Sequence, residues 1–225
     1  MCGRVLGEGN NGRGCEIAQT EIKYARGFHE ARRLVGFDNS GSAPADTLEQ
    51  IPEKLKSDIH DSIVCYKRFT DTLGRHIVFL ARSHKVAADG METVSLKVLQ
   101  FSELDSNWTR EWIIKDWVDC RNLDIEAYFH KDSFRLTDLD SNGTLEASVA
   151  YAMTCTGGIE PKSTKVIMRQ GETKYAVRGQ SLVRISDDVV YGGEFKVDAM
   201  LKDDPRFYDF LLNTWKRVAG YKTSR

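Results

Sequence analysis

The sequence predicts a mainly β fold: an antiparallel meander sheet of sandwich or propeller type, with a C-terminal helix packed on it and a further helix near the N-terminus. Three observations predict it. Between Ile63 and Phe195 apolar residues recur at period two, the spacing that sends alternate side chains to opposite faces of a sheet. The connections between these runs are too short to hold crossover helices, so neighbouring strands must be antiparallel. After Pro205 the apolar spacing becomes helical.

In chain order, five glycines fall within Met1 to Gly14, which makes this stretch too conformationally free to form an element by itself. Ile17, Tyr24, Phe28, Ala31 and Val35 then share one helical face, and residues 38–46 have the small, polar composition of a linker. Residues 1–47 are accordingly assigned to tail, helix and linker, and residues 48–225 to one β domain. Within it, Leu123, Ile125, Ala127 and Phe129 alternate with polar neighbours, as do Leu145, Ala147, Val149, Tyr151 and Met153. Ile77–Ala81, Val94–Val98, Trp108–Ile114, Val166–Met168 and Tyr175–Val177 read as further strands, with a turn at Gln170-Gly171-Glu172-Thr173. Asp204 is suited to cap the closing helix and Pro205 to open it; Phe207, Leu211, Trp215 and Val218 form its apolar stripe.

The 225 residues carry 32 Lys and Arg against 33 Asp and Glu, so no overall field favours nucleic acid or an anionic membrane. No apolar run is long enough to span a bilayer, and the N-terminus lacks a leader pattern. The chain as it stands is therefore expected in the cytoplasm, or in the periplasm or at the surface if a leader is removed. The five cysteines include no CxxC pair, which argues against a zinc knuckle or a disulfide scaffold; buried free thiols are expected, including at Cys120 and Cys155, where a disulfide is the alternative.

Asp138-Leu139-Asp140-Ser141-Asn142-Gly143-Thr144-Leu145-Glu146 places carboxylates and an amide at first, third, fifth and ninth positions, with glycine sixth. Calcium needs six to eight oxygen ligands, and Asp138, Asp140, Asn142, the Thr144 carbonyl and Glu146 could supply them. The twelfth position is Val149 and the flanks alternate as strands, which excludes a helix-loop-helix calcium site. The other reading is a surface turn, with Asn142-Gly143 supplying positive φ angles and the acids capping free N–H groups. The pattern resembles the calcium loops of integrin-type and related β-propeller repeats.

Around this loop, Asp116-Trp117-Val118-Asp119-Cys120, Phe134 to Asp140, Lys165-Val166-Ile167-Met168, Lys174 to Gly179 and Tyr191-Gly192-Gly193-Glu194-Phe195 follow one another in an order that resembles a family of small bacterial surface polysaccharide biosynthesis proteins. The resemblance runs from about Ile63 to Val218. It implies a setting in or near envelope polysaccharide assembly and not a reaction, with polysaccharide or envelope-assembly proteins as partners and no catalytic residue to carry over; the expectation is a non-catalytic, calcium-stabilised β module. The opening Met1-Cys2-Gly3-Arg4 resembles a second group, the proteins that crosslink abasic DNA through an N-terminal cysteine. That resemblance implies a Cys2 nucleophile; the Trp-Gly-Leu-Ile-Pro segment of that group does not occur here.

Even spacing puts Trp108 and Trp112 on one strand face and Trp117 on the other, all three expected in the core. The histidines His29, His60, His76, His84 and His130 are too scattered to pair on a metal and are expected singly, at the surface or beside carboxylates.

Overall fold

The computed structural model describes residues 51–186 and 188–221. The expected N-terminal tail, helix and linker, with Cys2, Cys15 and His29, lie outside the described residues.

A short helix α1 (Glu53–Ile59) precedes a meander of long strands: β1 (Ser62–Asp71), β2 (Gly74–Val86), β3 (Glu92–Leu104) and β4 (Asn107–Cys120). These form one antiparallel sheet in that order. After a turn at residues 121–123 the chain enters a second sheet through β5 (Asp124–Thr137), β6 (Glu146–Thr156), β7 (Ser163–Gln170) and β8 (Thr173–Gln180). A hairpin of β9 (Leu182–Arg184) and β10 (Val190–Gly192) follows, then β11 (Phe195–Val197), which pairs with β8 at the sheet edge. A 3-10 turn at Ala199–Asp203 leads into α2 (Pro205–Val218).

The sheets face one another as a sandwich, resolving the choice left open by the sequence. The core between them combines Val78, Leu80, Leu96, Val98 and Trp112 from the first sheet with Phe129, Val149, Tyr151 and Ile167 from the second. Alternation explains the outer faces as well. On β6 Val149, Tyr151 and Met153 fill the core between the sheets, whereas outward-facing Ala150 is small, which lets α2 approach closely. Phe207, Leu211 and Trp215 of α2 bury against Ala150, Val166, Met168 and Val177, with Val218 partly buried at the margin, as its stripe predicts. Asp204 accepts from the backbone N–H groups of Arg206 and Phe207, and Pro205 opens the helix. On the opposite side Ile51, Leu55 and Ile59 cover Ile77, Phe79 and Phe101. The result is four layers, helix, sheet, sheet, helix. Helix α1 is not anticipated by the sequence reading because a seven-residue helix shows only one repeat of its apolar spacing.

Two expectations are corrected. Cys120 and Cys155 form a disulfide, with Cα atoms 5.3 Å apart, instead of remaining thiols. Cys120 ends β4 in one sheet and Cys155 lies on β6 in the other, so the change of sheet after β4 brings together cysteines that sequence spacing leaves apart. Cys65 is a buried thiol. The tryptophans also depart from even spacing. Gln100 pairs with Trp112 and Phe101 with Arg110, so Glu111 is an extra residue in β4. This bulge reverses the alternation: Trp112 enters the core between the sheets, whereas Trp108 packs on the α1 face. Trp117, 56% exposed, is not in the core.

Candidate metal site in the loop between β5 and β6

Strands β5 and β6 close at the pair Thr137 and Glu146, leaving residues 138–145 as the connecting loop. The positive φ angles needed for its path fall at Ser141 (59°) and Gly143 (81°), not at Asn142. A Cβ at Gly143 would stand 2.7 Å from the Thr72 methyl, so glycine is required by both backbone and space.

The structure gathers three of the five expected ligands. One carboxylate oxygen each from Asp138, Asp140 and Glu146 lies within 4.8 Å of the others. Glu146 is fully buried, and its Oε2 accepts from Thr137 Oγ1 (3.0 Å) and Leu139 N (2.9 Å) while Oε1 accepts from Gln170 Nε2 (2.8 Å). Burial pushes its pKa up; the hydrogen bonds from Leu139 and Thr137 oppose this, the charges of Asp140 and Asp138 add to it, and the result is about 7. Neither Asp140 nor Glu146 forms an ion pair among the described residues.

Asn142 and Thr144 are turned to the loop's own needs. Asn142 Oδ1 accepts from Thr144 N (2.7 Å), its Nδ2 donates to Asp140 (2.8 Å), and the Thr144 hydroxyl bonds to Thr72 (3.0 Å). Asp138 accepts from the backbone N–H groups of Asn142 and Gly143 at 3.0 and 3.1 Å. The acids cap the turn, as the surface-turn reading expects, and three carboxylates converge beside it.

Neighbouring elements hold the loop in place. Gln170, at the end of β7, bridges Asp140 and Glu146, and Arg206 at the start of α2 donates to the Asp140 carbonyl (3.3 Å). From the first sheet, Thr72 N donates to Gly143 O (3.0 Å), and Asp71 accepts from Leu145 N (3.0 Å).

Asp71 belongs to a network that the sequence does not disclose. Its Oδ1 lies 3.0 Å from His76 Nε2, and His76 Nδ1 lies 2.7 Å from Ser102 Oγ. Burial would raise the Asp71 carboxyl, but hydrogen bonds from His76, Leu145 N and Leu73 N outweigh it and hold it below the usual carboxylate range. Serine, histidine and aspartate also build acyl-transfer triads. Here the His76 and Asp71 side chains are 1% and 2% exposed, and Asp71 also holds two backbone N–H groups, so the network serves to anchor the turn against the loop. The nearest sequence signal is the five-residue spacing of Asp71 and His76 around a tight turn; Ser102 and Leu145 come from distant strands.

Three carboxylates whose oxygens lie within 4.8 Å of one another are an oxygen set of the kind that a hard divalent cation takes. No helix among the described residues is long and apolar enough to cross a membrane. Comparison with known protein families, with curated proteins and with solved structures returned no match.

Proposed function

We propose that this chain is a non-catalytic β module that holds calcium in the loop between β5 and β6 and works beside polysaccharide assembly at a bacterial envelope. The carrying observation is the convergence of Asp138, Asp140 and the fully buried Glu146 on a loop that three neighbouring elements hold still. Three carboxylates so close repel one another, and a divalent cation relieves that repulsion more fully than hydrogen bonds do. Asp138, Asp140 and Glu146 would be direct ligands; Asn142 would join by turning its amide oxygen inward, and Thr144 through its carbonyl. The envelope setting is supported by the ordered motifs from Asp116 to Phe195 and by the Cys120–Cys155 disulfide, a bond that persists mainly in oxidising compartments.

Calorimetric titration of chelator-treated protein with calcium tests this reading. A saturable heat and a rise in melting temperature are expected, both abolished in Asp138→Asn/Glu146→Gln. Absence of heat and an unchanged melting temperature at millimolar calcium would remove the metal, and with it the proposed role.

A further inference from the structure

A second feature lies away from the acidic loop, where β5 departs from regular pairing. His130 pairs with Ala150 and Arg135 with Ser148, so Lys131 to Phe134 stand opposite the single residue Val149. The wide bulge is fixed, not loose: Ser133 Oγ donates to the His130 carbonyl (2.6 Å) and accepts from Ala150 N (2.7 Å), replacing the lost ladder. Phe134 consequently turns into the core between the sheets. On the outer face, the bulge and the end of α2 border an open cleft of about 390 Å³ lined by Tyr128, His130, Lys131, Asp132, Arg217 and Val218. At about 30 Å³ per water, that is room for about a dozen waters, more than a bare ion needs.

Its chemistry is cationic. The side chains of Lys131 and Arg217 make no hydrogen bond or ion pair among the described residues, and Asp132 is the one acidic residue in the lining. Lys162 stands 5.2 Å from the centre of the Tyr128 ring, with its charge met by Glu126. His130 lines the cleft, with its Nε2 buried and without a hydrogen-bond partner. Burial, together with the charges of Lys162 and Arg217, holds the imidazole below its ordinary pKa, so it meets a ligand in the neutral form. The C-terminal end of α2 brings partial negative charge, so side chains and not the helix must hold an anion here.

We propose that this cleft binds a small oxyanion-bearing molecule, with its phosphate or carboxylate held by Arg217 and Lys131 and its body lying along Tyr128 and His130. Arg217 can offer two parallel N–H donors to either group, and Lys131 a point charge. Bulges recur beside binding sites because they redirect side chains that a regular strand would lay flat. The site is independent of the acidic loop and goes beyond the calcium reading.

The test follows the His130 ring proton by NMR in the full chain, with chelator present and ionic strength constant. Inorganic phosphate and acetate are titrated separately, with assignment by His130→Gln. A saturable shift with at least one of them is expected, weakened about tenfold in Arg217→Ala and in Lys131→Ala, and unchanged in Lys216→Ala on the neighbouring helix position. Which of the two saturates first identifies the ligand's charged group. A linear drift with both, or equal saturation when Arg217 and Lys131 are both replaced by Ala, would overturn the proposal. Arg217, Lys131 and Lys216 are exposed, so folding is not at stake in their variants, and the half-buried His130 is replaced for assignment alone.

Discussion

Glu146 shows how much of the site was legible one residue at a time. The spacing of Asp138, Asp140 and Glu146 places three acids on one loop, and the structure brings these three together. The spacing does not show that Glu146 is buried or that it is bonded to Gln170, a partner from another strand. Nor does it show that Asn142 and Thr144 are taken up by the turn, or that Asp71, His76 and Ser102 meet, because those partners are far apart in sequence. The raised pKa of Glu146 has a definite sign. In the folded state the group holds its proton up to about pH 7, whereas unfolded it loses it near 4.5. Between these values the folded state binds more protons, so without calcium stability falls as pH rises. The loss amounts to about 3 kcal/mol across the window. Urea denaturation of chelated protein at several pH values should show this slope, and Glu146→Gln should flatten it. An identical slope in the variant would locate the titration elsewhere.

At the scale of the element, α2 was the most legible part because each of its signals is local. Asp204, Pro205 and four apolar residues at helical spacing suffice, and the structure uses them all. Its stability should be divided unequally between them. Trp215, wholly buried, should cost about 3–5 kcal/mol when replaced by Ala. Asp204→Ala should cost about 1 kcal/mol, the usual worth of a cap. Denaturation midpoints would check the order, and equal effects would mean that α2 is held by its cap and not by its packing. Strand β4 was legible in existence but not in detail. Period two carries no sign of an inserted residue, so Glu111 reverses the faces of Trp108 and Trp112 without any change in composition. The same blindness hid the bulge in β5 that shapes the cationic cleft.

For the whole molecule, the sequence predicted an antiparallel meander but could not say where it folds over. That happens at residues 121–123, where Asn122 takes a positive φ of 58° and the chain passes from one sheet to the other. The sandwich is then tied at both ends of the hairpin formed by β5 and β6. At one end the disulfide joins Cys120 to Cys155; at the other, Asp71 and Thr72 of the first sheet hold Leu145 and Gly143 of the acidic loop. The first tie closes a separation of 35 residues, and its loss should lower stability by about 2–4 kcal/mol. Melting of Cys120→Ser/Cys155→Ser against the parent would read this directly, and an unchanged midpoint would deny the bond a structural role. Calcium would strengthen the second tie, since it would brace the loop on which the first sheet's turn rests.

Diffraction from crystals grown in millimolar calcium puts that claim to the most direct test. The account predicts an ion with oxygen ligands at about 2.3–2.6 Å from Asp138, Asp140 and Glu146. A loop filled by water alone, with Glu146 still held by Gln170, Thr137 and Leu139, would contradict it.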